Sequence, residues 1–267
     1  MEFRQPRNRP CLESLLSAAS ACLKGSPVSN QTNGISMMKH ILLGALALLA
    51  SPLFAADSSP KGDVMAAARK LAAASYSWNQ TVVVPESARF KPGPTEGKTE
   101  KGVVTYVKMS FGDITTEIVM KGDKTAVTDP DGNWQSLTNM EKDANGIGSE
   151  GPTRFLVRMV RNFSLPTAQA TNLLASVSEL KKDGDVYSGD LTEAGAKAQF
   201  RFGTVTNPKG SAKFWLKDGL LAKFEYKVQG KVTFNGSEIN LDRDTTVEIE
   251  DVGATKVNVP DGAKKVF

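Results

Sequence analysis

Residues 220–250 read LLAKFEYKVQGKVTF, Asn235-Gly236, SEINLDRDTTVEIE. On the first segment Ala222, Phe224, Tyr226, Val228, Val232 and Phe234 share one face, with Lys223, Glu225, Lys227 and Gln229 on the other. On the second, Ile239, Leu241, Val247 and Ile249 oppose Asn240, Asp242, Asp244, Glu248 and Glu250. Alternation with a period of two is the signature of a half-buried strand. Here it runs for about 14 residues, against the usual ~5–6, so each strand spans roughly 45 Å at ~3.3 Å per residue. Asn235-Gly236 joins them as a hairpin, and Lys217-Asp218-Gly219 joins Ser211–Leu216 to the first. Strands this long must twist. With one wet and one dry face, the sheet is expected to be antiparallel and covered on one side only. The expected fold is α+β and mainly antiparallel β: one large curved sheet, a half-barrel, wrapped around two or three helices.

Working outward, the covering helices are legible. Asp63–Ala74 is Ala-rich, with Val64, Ala67, Ala68 and Leu71 at helical spacing and Asp63 as a cap. Pro152–Asn162 carries Phe155, Leu156, Met159, Val160 and Phe163 on one face, and Pro166–Val177 carries Leu173, Leu174 and Val177. Strands are expected at Tyr76–Val84, Val103–Ser110, Ile114–Lys121, Thr125–Thr128, from Trp134, at Val186–Leu191 and, more weakly, at Ala198–Phe202. Lys91–Pro94 and residues 139–151 are expected to be loops.

Three of the four net positive charges, the two Cys and the one His belong to the start of the chain. Cys11, Cys22 and His40 lie in the first 56 residues, as do Arg4, Arg7, Arg9, Lys24 and Lys39 against Glu2 and Glu13. Met38-Lys39-His40, the apolar run Ile41–Ala50 and the small-residue exit at Ala55-Ala56 have the three-part grammar of a secretory signal peptide. The run is about half the ~20 residues that a membrane-spanning helix needs. An uncleaved anchor is the alternative. Residues 1–37 are expected to be a non-native or disordered leader, with translation starting at Met1, Met37 or Met38. Residues 38–56 are the signal peptide and residues 57–267 a single domain, soluble and monomeric after cleavage, in the periplasm or outside the cell.

Residues 57–267 are close to neutral and contain neither His nor Cys. That excludes a Ser-His-Asp triad, a thiol nucleophile, a disulfide, imidazole or thiolate metal sites and iron–sulfur clusters. Near-neutral charge argues against a nucleic-acid partner. The expectation is no enzyme, no cofactor and no resident metal.

Export, the missing Cys and this strand–helix order together resemble the LolA-like half-barrel superfamily of periplasmic lipoprotein carriers and mycobacterial lipid-carrier lipoproteins. The resemblance is carried by the early helix and aromatic strand of Ala66–Val84, the helical insertion Pro152–Val177, and KFWLKDGLLAKFEYKV at Lys213–Val228. The closing stretch from Asp251-Val252-Gly253 to Val257-Asn258-Val259-Pro260 adds to it. It implies outer-membrane lipoprotein sorting or lipid transport: a module whose concave face and helical lid enclose an apolar cavity for acyl chains. No residue here matches a partner-docking or gating position of that family.

The residues expected to line such a pocket are Trp78, Val82, Ile118, Met120, Phe155, Met159, Phe163, Phe224, Tyr226 and Val228. Met and aromatic side chains suit a compliant apolar cavity, although periodic apolar positions also suit a plain core. Arg154, Arg158 and Arg161 form a basic stripe opposite the apolar helix face, fit for anionic headgroups or an acidic partner, or simply for water. Asp129-Pro130-Asp131-Gly132-Asn133 lacks the calcium-loop spacing and is a turn. Asp242 and Asp244 are placed on the wet face of an edge strand, where charge blocks edge pairing. The leading expectation is an exported carrier or binding protein for a lipid, a lipoprotein or another apolar acylated ligand. The other is a cell-envelope interaction module with a filled core, making transient contact with a protein partner.

Overall fold

The computed structural model describes residues 59–86, 88, 91–112, 114–144, 151–200, 203–234 and 237–267. The chain divides into a unit of residues 1–53 and one of residues 54–267, and every described residue belongs to the second. The expected leader of residues 1–37 and the expected signal peptide of residues 38–56 lie outside the described residues.

The chain begins with α1 (Pro60–Ala72), capped by the Ser59 hydroxyl, which accepts from the Gly62 N–H at 3.1 Å. Ser59 therefore takes the capping role expected of Asp63, and Asp63 instead accepts from the Tyr187 hydroxyl at 2.9 Å. Six strands follow as an antiparallel meander: β1 (Tyr76–Val83), β2 (Pro92–Glu100), β3 (Val104–Phe111), β4 (Ile114–Lys121), β5 (Lys124–Thr128) and β6 (Trp134–Ser136). Three helices, α2 (Leu137–Ala144), α3 (Pro152–Arg161) and α4 (Pro166–Ser176), lead to β7 (Lys181–Asp183), β8 (Val186–Asp190) and α5 (Glu193–Ala198). The long strands β9 (Thr204–Lys217), β10 (Leu220–Phe234) and β11 (Ser237–Glu250) precede the short α6 (Asp261–Lys264).

Among the described residues, eleven strands form one antiparallel sheet in the order β6-β5-β4-β3-β2-β1-β11-β10-β9-β8-β7. The α+β fold of one large antiparallel sheet with helices, the half-barrel class, is thus present. The first and last long strands pair at its centre, from Ser77 opposite Glu250 to Val83 opposite Asp244. The expected edge placement of Asp242 and Asp244 is corrected by this pairing: β11 is interior, and both carboxylates pair with Lys227 across the β10 ladder. Register shifts near Leu221/Lys223 and Gln229/Lys231 bend β10 against β9, as bulges do.

One core lies on the helix side of the sheet. Val64, Ala67, Ala68 and Leu71 of α1, Leu156 and Val160 of α3, and Leu173 and Leu174 of α4 meet Trp78, Val107, Ile118, Val127, Phe214, Phe224 and Val247 of the strands. The expectation of a sheet covered on one side only does not hold over β3–β6. There Val104, Val119 and Ala126 face the other way and are buried under the closing stretch, whose Val257, Val259, Ala263, Val266 and Phe267 pack on them. Glu100 anchors this cover by accepting from Lys256 Nζ at 2.7 Å and the Val257 N–H at 3.2 Å. The Lys256 bond first, then the Val257 bond, hold the Glu100 carboxyl below its ordinary range.

Three segments differ from expectation. Residues 92–94 open β2 rather than a loop, because Pro92 to Glu100 is buried through Thr95, Gly97 and Thr99 between two neighbours. Residues 139–144 belong to α2, which buries Met140 and Ala144. Ala198 ends α5, a helix capped by the Thr192 hydroxyl on the Gly195 N–H, instead of starting a strand.

Candidate ligand-binding face

The helix-side face of the sheet is not uniform along the strands. In its middle, Trp78, Ile118, Phe224 and Val228 are at most 3% exposed and packed as core. Trp78 lies flat across Gly97 of β2, where a Cβ would fall 2.0 Å from the indole. Tyr76 meets the same indole at 5.7 Å, and Phe214 stacks on Phe224 at 6.4 Å. Met120, Met159, Phe163 and Tyr226 are half-buried and pack against this core, and Val82 is half-buried.

Phe155 is different. It is 49% exposed on α3, and its ring meets Phe111 of β3 edge-on at 5.8 Å. Between α3 and the β3–β4 turn lies an apolar groove of about 270 Å³, lined by Phe111, Ile114, Gly151, Pro152, Phe155 and Leu156. Pro at the first position of α3 starts the helix where a missing N–H costs nothing, and that start sets the groove wall. Leu156, at 1% exposure, is the floor that joins the groove to the core. A second hollow, of about 370 Å³, is polar and lies near the other edge of the sheet, among Ser178, Glu179, Lys181, Ser188, Asp190 and Lys213.

On α3, Arg158 and Arg161 are exposed and Arg154 is half-buried. Arg161 is bonded to Glu141, so α2 and α3 are tied at that point. The stripe is therefore not three equivalent free cations. Asp129 Oδ1 accepts from the N–H groups of Asp131 and Asn133, each at 2.9 Å, which makes that segment an Asx turn.

The pairing register shows which residues share an end of the sheet. Pro92 pairs with Phe111, Gln80 with Thr95, Val82 with Thr245 and Tyr226 with Thr245. Phe111, Val82 and Tyr226 thus lie near one end of the same face, with the Phe155 groove at β3. Trp78, Ile118 and Phe224 lie further in.

One residue of this face escaped the sequence reading. Arg243 has the parity of Ile239, Leu241, Val247 and Ile249, so β11 presents it on the dry side. It is half-buried opposite Val228. Its Nη2 donates to the Gln199 carbonyl at 2.9 Å, and its guanidinium carbon is 6.0 Å from the centre of the Tyr226 ring. Its Nε is buried without a hydrogen-bond partner. Counting parity through the charged run Asp242-Arg243-Asp244 would have singled it out.

No family model matches the chain, and no curated protein matches it. Among solved structures it is similar to lipoprotein LppX from Mycobacterium tuberculosis, at 10% identity and a TM-score of 0.41, over 75% of this chain and 98% of that one. It is similar to LprF from Mycobacterium bovis, at 11% identity and 0.40, over 76% and 97%. A LolA superfamily protein from Nitrosomonas europaea is similar at 10% identity and 0.26, over 78% and 97%. The fold as described rests on the sheet order itself.

Proposed function

We propose that this chain is an exported, non-enzymatic carrier or binding protein for an acylated or otherwise apolar ligand. The observation that carries the reading is the apolar groove at Phe155, open to solvent at one wall and floored by the core. Leaving an aromatic half exposed beside another exposed apolar side chain, Ile114, is a cost that a ligand would relieve. Its volume falls just below the ~300 Å³ at which ligand pockets begin. A long acyl chain would therefore push α3 outward, against the Arg161–Glu141 tie and the Phe111 contact. Half-buried Met120 and Met159, with flexible thioether side chains, are adaptable enough to follow. The absence of His and Cys from residues 57–267 supports a binder over a catalyst. Export rests on the Met38–Ala56 segment, and among the described residues no helix is long and apolar enough to cross a membrane.

A second reading has its own support. Trp78, Ile118, Phe224 and Val228 are sealed in the core, which fits an envelope interaction module that uses α3 and its arginines on a protein partner. Titration with a fluorescent acyl probe separates the two. The carrier reading expects saturable binding that Phe155→Ala weakens at least fivefold and Phe155→Leu largely keeps. No saturable binding to the folded protein would refute it and leave the interaction module.

A further inference from the structure

We propose that Arg243 is an anion receptor, which takes the carboxylate or phosphate end of an amphiphilic ligand whose tail runs along the helix-side face to the Phe155 groove. This rests on the carrier reading for the tail but not for the anion. A guanidinium offers five donors. Here the Gln199 carbonyl takes one, at 2.9 Å, and the buried Nε has no partner. Among the described residues no carboxylate pairs with it, and its neighbours Asp242 and Asp244 are engaged on the opposite face with Gln229 and Lys227. A half-buried cation without a counter-charge is expensive. A planar oxyanion would fill the open donors with charge-assisted bonds in a geometry that arginine matches and lysine does not.

The placement also suits the anion of an amphiphile. On β10 the face stays sealed on either side of Arg243, with Val228 and Val232 both fully buried, while on β11 Ile239, four residues earlier, is 47% exposed. The Tyr226 ring flanks the guanidinium, and the backbone hydrogen bond to Gln199 pins it. From β11 to β3 is three strand spacings, roughly 14 Å at ~4.8 Å each. Along that path Val82 lies between Arg243 and Phe111 on the same face. The polar end and the apolar groove are thus separated by a distance an extended acyl chain covers.

The test uses the full chain, cis-parinaric acid and its methyl ester as probes, and inorganic phosphate as competitor. The wild-type protein is expected to bind the acid at least tenfold more tightly than the more apolar ester. Arg243→Met should lower acid affinity about tenfold and leave the ester unchanged, and Arg243→Lys should recover only part of the loss. The wild-type ratio needs no variant, so the test survives a variant that fails to fold. Equal binding of acid and ester, or ester tighter than acid, overturns the anion receptor and leaves the carrier reading standing. Saturable phosphate binding that Arg243→Met abolishes, with neither acyl probe bound, supports the receptor, assigns it to a free anion and refutes the carrier. Binding of none of the three overturns both.

Discussion

Gly97→Ala is the sharpest test of how this sheet is packed. Gly97 lies on β2 between Trp78 of β1 and Val107 of β3. A Cβ there would sit 2.0 Å from Trp78 Cζ2 and 2.3 Å from both Cε2 and Cη2. The indole is 3% exposed and packed against Tyr76, so the ring or the strand must shift within the core to admit the methyl group. Overpacking of this kind costs about 1–3 kcal/mol, and contact with three ring atoms puts the value near the top. Replacing a strand glycine returns about 0.5–1 kcal/mol of unfolded-chain entropy. The net expectation is destabilisation by about 2 kcal/mol, a fall in Tm of about 4–8 °C for a domain of this size. Thermal and urea unfolding followed by tryptophan emission measure it, and in a Trp78→Leu background the same Gly97→Ala change should cost little, because the clash is with the ring. An unchanged or higher Tm for Gly97→Ala would refute the packing and free Trp78 to serve as a ligand-contact residue.

Other outcomes follow from the same geometry. Phe224→Ala empties a fully buried site and should cost about 3–5 kcal/mol, whereas Phe155→Ala, at a half-exposed position, should cost under about 1.5 kcal/mol, both read from urea midpoints. The Glu100 carboxyl is held low in the folded chain, so its contribution is full above the unfolded value near 4.5 and is lost as pH falls through the folded one. Protection factors over residues 251–267, taken against the intrinsic exchange rate at each pH, should therefore fall on acidification, and Glu100→Gln should remove that fall. The Tyr106 phenol is pushed up to about 12, by burial first and by Glu117 second. An acid kept neutral by folding loses stability as pH rises, from about 10, the unfolded value, to about 12. Tyr106→Phe should flatten that alkaline fall in Tm.

The sequence disclosed what hydrophobic alternation encodes and missed what it does not. β10 and β11 were plain because apolar and charged residues alternate over their length. β2 was invisible because its buried positions are Thr95, Gly97 and Thr99, small residues that fit under neighbours and show no apolar period. The cover on the second face had a faint signal: Ile118-Val119 and Ala126-Val127 are adjacent apolar pairs, each with both members buried, as on strands covered on both sides. α5, EAGAKA, is six residues long and carries no apolar stripe, so only its Thr192 cap marks it. At the candidate site, the sequence supplied the side chains of the face but not their depth. Trp78 and Phe155 are both aromatic and periodic, and only packing separates the sealed ring from the half-exposed one. Arg243 was hidden between two aspartates whose charge suggests a wet run, when its parity puts it on the dry side.

The central claim is that the face enclosed by this sheet and its helices holds an acylated or apolar ligand. It is tested most directly by purifying the protein from its own compartment without detergent or denaturant, extracting it with organic solvent and measuring the extract by mass spectrometry. The account predicts a lipid or acylated species at close to one per protein, reduced in Phe155→Ala and, if anionic, reduced further in Arg243→Met. A protein that is repeatedly empty, and that takes up no acyl probe in its folded state, would contradict it.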